Sequence, residues 1–363
     1  MPVKLSKEEE EPDFKPGKLK YLMSDHEFLA SLLIFLTLLI LVIILFYHVP
    51  EKISIQTCGD GSFYNSCSIT KPYYCNNNGN LIEKASICGC SSGEESKGDL
   101  CINTIFQTKP KTITLNYILD GKENWINFVA YGGMSSYLST LSQVISYSGN
   151  ETPLLSDFIF NKIDQQDQRQ LLLPLVIEIE NITNNKTDQA RIAISLVQNI
   201  PYGASNKTAS FFGTPVNYSR YPYQVLYDDR GICGEKSELL SLLLRDLGYG
   251  TVVFNFPQEN HEAVGIKCPV KDSYNKTGYC FVETTGPAII SDSSLQYAGG
   301  LTLNSQPEIT LVSTGYSLPP NLQEYQDAKT MAAITEGNFV LFRNSKFNSL
   351  VKKYGLINEY QIA

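Results

Sequence analysis

Histidine is scarce in this chain. There are 3 among 363 residues, and only His261 falls in the last third. No Asp-x-Asp-x-Asp-Gly loop occurs, so neither calcium nor any other metal is expected. No glycine-rich phosphate loop and no internal repeat is present, which sets aside phosphate-cradle enzymes and solenoids, and no cofactor is implied. The formal net charge is −8, with no basic run outside the N-terminal tail. That balance argues against nucleic acid as a partner. No Asp, Glu, Lys or Arg interrupts residues 28–49, and no cysteine precedes Cys58.

What is present begins with that uncharged run. Residues 28–49 are almost wholly apolar, long enough for a helix to cross a hydrocarbon core of roughly 30 Å. A secretory signal would have a shorter apolar core and a small-residue cleavage site, and neither is evident. A buried core helix is the remaining alternative. Lys4, Lys7, Lys15, Lys18 and Lys20 precede the run, and only Lys52 follows it closely. Basic residues stay cytoplasmic, so the N-terminus is expected inside and everything from about residue 50 outside. Glu8 to Glu11 and Asp13 dilute the tail's charge but count for little in that rule. Six Asn-x-Ser/Thr sequons, at Asn150, Asn181, Asn185, Asn206, Asn217 and Asn275, all lie beyond the run. They agree with an outside location and are candidate glycosylation sites.

The 9 cysteines also lie beyond it. Cys58, Cys67, Cys75, Cys88, Cys90 and Cys101 sit among Gly, Asn, Ser and Pro, too few apolar residues for a core. Such a segment needs covalent staples. A zinc site fits less well, because the segment has no Cys-x-x-Cys pair and no histidine. Three disulfides are expected, with connectivity not readable from spacing. Cys268 and Cys280 flank a polar turn-rich stretch and suit a cross-hairpin disulfide. Cys233 is left over, and an odd cysteine outside the cell is either an intermolecular staple or a reactive thiol.

The neighbours of Cys233 favour reactivity. Arg230-Gly231-Ile232-Cys233-Gly234-Glu235-Lys236-Ser237 opens a leucine-rich stretch that ends before Gly248. Leu239, Leu240, Leu243 and Leu247 share one helical face, and Leu242 and Leu244 widen it, the pattern of a buried central helix. Its N-terminus favours an anion, hence a thiolate. Gly231 and Gly234 permit close approach, and the Cys233 amide is placed to serve an oxyanion. Residues 251–256 read as a strand, and 261–268 with 280–285 as an antiparallel hairpin. His261 and Glu283 share one parity, Cys268 and Cys280 the other, so each pair takes its own face. Both pairs cannot be directly opposed unless a bulge or a frayed end intervenes. Taken singly, a strand histidine is more often a satisfied polar residue, and a cysteine at a helix start is more often buried. The order thiol, imidazole, carboxylate is the parts list of nucleophilic acyl transfer.

The string from Arg230 to Tyr249, followed by His261 and by Phe281-Val282-Glu283-Thr284-Thr285, resembles the transglutaminase-like superfamily, particularly its archaeal and bacterial members. The resemblance implies an α+β, papain-like core: a central helix carrying the Cys, packed on an antiparallel sheet carrying His and Asp or Glu. It implies Cys233 as nucleophile, His261 as base and Glu283 as the residue orienting it; Glu departs from the Asp of many members. Residues 190–202 resemble the family's upstream helix and turn. Two roles stay open for Gln198 there, an oxyanion donor or a brace for the loop to Pro201. The resemblance covers roughly residues 185–290. The family holds acyltransferases, peptidases, amidases and inactive members, and nothing in the sequence selects the acyl acceptor.

Elsewhere, residues 111–119 and 125–131 read as strands around Asp120-Gly121. Residues 135–148 and 154–180 read as helical with a kink or break at Pro174, and 190–198 as helical. Residues 202–223 read as a long surface loop or lid, and 322–333 and 347–354 as short helices. The chain is thus expected to comprise a cytoplasmic tail (1–27), a transmembrane helix (28–49), an extracellular cysteine-rich module (50–108), a transglutaminase-like domain (109–310) and a helical extension (311–363). The implied function is a single-pass, extracellular thiol acyltransferase or peptidase acting on peptide or isopeptide bonds at the cell envelope. The alternatives are an inactive transglutaminase-like binding module and a surface oligomer stapled through Cys233. The sequence does not specify the oligomeric state.

Overall fold

The computed structural model describes residues 25–47, 56–152, 154–211, 214–293, 302–337 and 342–356. The chain divides into two units, residues 1–55 and 56–363. The first contains helix α1 (Asp25–Tyr47). Its described side chains, residues 28–42, are all exposed. Among the described residues no helix is long and apolar enough to cross a membrane. The predicted span at 28–49 runs onto residues 48 and 49, which lie outside the described residues, so it stands on the sequence alone.

The second unit opens with short elements: β1 (Ser66–Cys67), β2 (Tyr73–Cys75), β3 (Leu81–Glu83), the one-turn α2 (Ala85–Cys88), β4 (Glu95–Lys97) and β5 (Leu100–Ile102). Strands β1, β2 and β3 form one sheet, and β4 and β5 pair separately. Disulfides Cys58–Cys75, Cys67–Cys88 and Cys90–Cys101 close loops of 17, 21 and 11 residues. Loops of that size are each worth roughly 3 kcal/mol in the chain-entropy account. This segment is docked on the remainder of the unit through α5 (Gln166–Ile182). Cys58, Tyr73, Cys75 and Leu81 form a cluster with Ile177. A Cβ on Gly59 would lie 2.4 Å from the Glu180 carbonyl oxygen, so only glycine permits that approach. Asn181 holds the backbone of Leu81 at both ends, accepting its N–H at 2.8 Å and donating to its carbonyl at 3.0 Å.

A ten-residue hairpin comes next, β6 (Pro110–Leu119) and β7 (Lys122–Tyr131), in unbroken register. Both turn residues have positive φ, Asp120 at 51° and Gly121 at 71°. Such turns match the twist of the strands they join. Helices α3 (Gly132–Leu138) and α4 (Leu155–Ile163) come before α5, and α6 (Lys186–Asn199) after it. The helix expected at 135–148 ends at Leu138. Ser139 and Thr140 hydroxyls donate to the carbonyls of Ser135 and Tyr137, local bonds that compete with helix continuation. The expected break at Pro174 falls instead at Asp164 and Gln165, where the Gln165 side chain caps α5 by accepting the Gln168 N–H. Pro174 sits inside α5 on an exposed face, where the carbonyl freed by its missing N–H can reach water. Asn185 caps α6 through the Thr187 N–H at 2.9 Å.

The stretch expected as a long loop contains a small hairpin, β8 (Thr208–Phe211) and β9 (Thr214–Asn217), and then α7 (Pro222–Asp228), with proline at its first position. The central helix α8 (Cys233–Asp246) buries Leu239, Leu240, Leu242, Leu243 and Leu244, and the chain turns away at Gly248 with φ of 90°. It packs on an antiparallel sheet ordered β12, β11, β10, β13, formed by β10 (Thr251–Phe256), β11 (His261–Lys267), β12 (Tyr279–Val282) and β13 (Glu308–Ser313). Strand β13 crosses the boundary expected at residue 310. Helices α9 (Gln323–Thr335) and α10 (Arg343–Tyr354) close the fold. Ala328, Met331, Ile334, Phe347 and Leu350 pack around Ile289, in the loop that leaves the sheet after Glu283. The architecture is mixed α+β with antiparallel sheets and four disulfides.

Candidate active site

The first turn of α8 is built around Glu235. Its carboxylate accepts the N–H of Ile232 at 3.0 Å and of Arg220 at 2.7 Å, and pairs with the Arg220 guanidinium at 3.0 Å. Arg220 in turn holds Asp228 at 2.9 Å. The turn before Cys233 is strapped to the segment after α6. Gly231 donates to Pro201 O at 3.2 Å, and Gly203 donates to Gly231 O at 3.1 Å. A Cβ on Gly231 would meet Lys236 Cγ at 2.9 Å and Val225 at 3.1 Å, so the helix start needs glycine there. Cys233 is the first helical residue. It is half-buried and is the free cysteine, the other 8 being disulfide-bonded.

His261 opens β11 beside it. The imidazole Nε2 lies 3.0 Å from Glu283 Oε2, and the two residues are only 6% and 2% exposed. Cys233 also acts on the imidazole, through hydrogen bonding and charge. The second oxygen of Glu283 accepts from the Thr284 N–H at 3.0 Å, the Thr285 N–H at 2.8 Å and the Thr285 hydroxyl at 2.6 Å. Burial alone raises a carboxyl pKa, but here the His261 bond and charge and the Thr285 donors hold Glu283 below its ordinary value. Burial likewise pushes the imidazole down. The hydrogen bonds to Cys233 and Glu283, and their charges, outweigh it and raise His261 to about 10.

The sheet register explains how both hairpin pairs form. Val264 is opposite Val282 and Ile266 opposite Cys280. Neither Cys268–Cys280 nor His261–Glu283 is therefore directly opposed; each is offset diagonally by two positions. Strand β12 ends at Val282, so Glu283 lies just past the ladder, where its carboxylate is free to turn back toward His261. Cys268 and Cys280 are bonded on the opposite face, with Cα atoms 5.7 Å apart.

Gln198 does not serve the thiol. Its Nε2 donates to Glu283 O at 2.9 Å and to Ala288 O at 3.2 Å, which spends both amide hydrogens. It braces the loop that carries Glu283, so the oxyanion-donor expectation is corrected. The Cys233 amide remains, because the first N–H groups of a helix have no intrahelical acceptor.

Three residues escaped the sequence reading. Lys236 is wholly buried, with Nζ at 2.6 Å from Ile200 O, 3.4 Å from Gln198 O and 3.3 Å from Thr285 O. Burial lowers its pKa to about 8 against the opposing pull of Glu283. The one available signal was a lysine in the first turn of an otherwise leucine-lined helix. Tyr202, 58% exposed, is bridged to Gly231 at the mouth of the site. Glu262 places its carboxylate over Gly234, where a Cβ would lie 3.1 Å from Oε2. Among the described residues no group of three or more His, Cys, Asp or Glu is arranged to hold a metal.

Among the sequons, Asn150, Asn185, Asn206, Asn217 and Asn275 are exposed, whereas the Asn181 amide is engaged with Leu81. No protein-family model and no curated protein matches the chain. Among solved structures, calcium-bound LapG of Legionella pneumophila is similar at 13% identity, over 45% of this chain and 96% of that one, with a TM-score of 0.22. A likeness at that level carries no argument for fold or chemistry.

Proposed function

We propose that the second unit carries a papain-like, transglutaminase-like core that transfers or hydrolyses acyl groups through a thioester on Cys233. The single observation behind this is a free thiol at the start of a central helix, hydrogen-bonded to a buried imidazole that a buried carboxylate orients. Cys233 Sγ attacks a peptide or isopeptide carbonyl; the C–S bond forms and the C–N bond breaks. His261 gives its proton to the departing nitrogen. Water or a primary amine then attacks the thioester, passes its proton to His261, and releases Sγ as thiolate. Glu283 keeps the imidazole oriented and supports its charge. The α8 amides stabilise the oxyanion.

Four disulfides fit an oxidising compartment. With the apolar run at 28–49 and the lysines before it, they support a single-pass anchor with the catalytic unit outside the cytoplasm, facing peptides or proteins of the envelope. The test exposes the purified full chain to envelope peptides with and without added primary amine, and reads cleavage or amine incorporation by mass spectrometry. Product formation lost in Cys233→Ala is the expected result. Equal product from Cys233→Ala would contradict the reading.

A further inference from the structure

Gln198 also lines a cavity of about 140 Å³ that the chemistry above does not use; its walls do not include Cys233, His261 or Glu283. It lies where the β6–β7 turn, α6, the loop after Glu283, the start of α9 and the end of α10 meet. Ile118, Leu119, Ile194, Ala288 and Ile290 supply its apolar wall. An apolar chamber with a few convergent polar atoms is the ordinary form of a small-molecule site. A cavity of this size accommodates a single six-membered ring.

The charged groups on its wall are already matched. Arg191 forks onto Glu324 at 2.5 and 2.9 Å and reaches Asp188 at 2.7 Å. The Lys353 ammonium and the Tyr354 hydroxyl both bind Asp327 at 2.7 Å. Asp120 is exposed at the tip of the β6–β7 turn, where water serves it. Among the described residues a charged guest would therefore find no free counter-ion inside, and its desolvation would go uncompensated. The cavity suits a neutral molecule.

Two neutral side chains on its wall retain hydrogen-bonding capacity. Gln198 is 5% exposed, with its amide hydrogens committed to the carbonyls of Glu283 and Ala288. Its Oε1 accepts no hydrogen bond among the described residues. The Ser195 hydroxyl accepts the Ile118 N–H at 2.8 Å and the Asn199 amide at 3.2 Å, and its own hydrogen has no acceptor among the described residues. Three residues apart on α6, the two side chains share one helical face. One hydroxyl or amide on a guest can donate to Gln198 Oε1 and accept from Ser195.

We propose that this cavity is an effector site for a small neutral molecule, one ring in size and carrying a hydroxyl or amide, held by Gln198 and Ser195. Its route to the catalytic residues is a single side chain. A donor on Oε1 polarises the Gln198 amide and strengthens its bonds to the carbonyls of Glu283 and Ala288. The loop that holds Glu283 against His261 is thereby tightened. Binding does not depend on Cys233 being the nucleophile; the effect on the thiol rests on that reading.

Phenol is the probe, and benzene, which lacks the hydroxyl, is its comparison. Binding to the full chain is titrated by methyl NMR. Phenol is expected to shift the δ-methyls of Ile118, Ile194 and Ile290 saturably, and to bind about fivefold more tightly than benzene, the worth of one hydrogen bond. Ala288→Leu and Ile194→Phe fill the cavity from two different walls, and each is expected to abolish the shifts. The comparison of phenol with benzene is made within the wild type, so it stands even if a filled variant fails to fold. Saturating phenol is expected to raise the rate of Cys233 alkylation by iodoacetamide about twofold or more. Methyls unmoved by phenol, or equally shifted in folded filled variants, overturn the site. Saturable binding with unchanged alkylation overturns the effector role and leaves the nucleophile untouched. Alkylation that is slow and indifferent to His261→Ala overturns the proposed function, and the effector role with it, while the methyl shifts still read the site.

Discussion

Gln198 donates its side-chain amide to the backbone carbonyl of Glu283 at 2.9 Å, from behind the residue that orients His261. The carboxylate's position is therefore set partly by a helix 85 residues upstream. Gln198→Ala should leave the buried carbonyls of Glu283 and Ala288 unpaired and cost about 1–3 kcal/mol of stability. Thermal unfolding measures this. A variant as stable as wild type but with turnover reduced about 100-fold or more would instead mark an oxyanion donor.

The His261–Glu283 pair ties stability to pH. The folded pKa of His261, about 10, exceeds its ordinary 6.5, so its contribution is fully present below 6.5 and lost as pH rises through about 10. Glu283 is held below its ordinary 4.5, so its contribution is present above 4.5 and lost as pH falls below that. The stability gap between wild type and Glu283→Gln should be widest near pH 5 to 6.5 and should narrow by pH 10. Denaturant unfolding at pH 6 and pH 10 reads the difference. A gap independent of pH would contradict the ion pair.

Lys236 runs the other way. Its folded pKa of about 8 lies below the ordinary 10.5, so the unfolded chain binds more protons between these values, and stability from this residue rises with pH across that window. Relative to Lys236→Met, the wild type should gain stability between pH 8 and pH 10. The Met variant should also label more slowly at Cys233, because the loops at Ile200 and Thr285 lose their common anchor. Unchanged labelling would reduce Lys236 to a packing residue.

Gly59 joins the disulfide-rich segment to α5. Gly59→Ala would place a Cβ 2.4 Å from the Glu180 carbonyl oxygen and force the backbones apart. A loss of about 1–3 kcal/mol is expected, with Cys233 labelling kept if the effect stays local. Wild-type stability in this variant would show that the segment does not dock there.

Much of the site was legible because its elements announce themselves locally. The leucines of α8, the glycines beside Cys233 and the β-branched run at Thr251–Phe256 place the helix and strand within a residue or so. Strand β13 was missed although Ile309 and Leu311 alternate with polar residues, because its partner β10 lies some 55 residues earlier and nothing local signals the pairing. The His261–Glu283 register depended on a frayed strand end, which parity alone does not specify. The roles of Gln198 and Lys236 rest on carbonyls brought close only by tertiary packing, and a glutamine's two roles look alike in a string of letters.

The central claim is that His261 activates Cys233. The direct measurement is the rate of Cys233 alkylation by iodoacetamide at pH 6, for wild type and His261→Ala. Labelling faster by about tenfold or more in the wild type is the predicted result, since an unassisted thiol is almost entirely protonated at that pH. Equal and slow labelling of both proteins would contradict it.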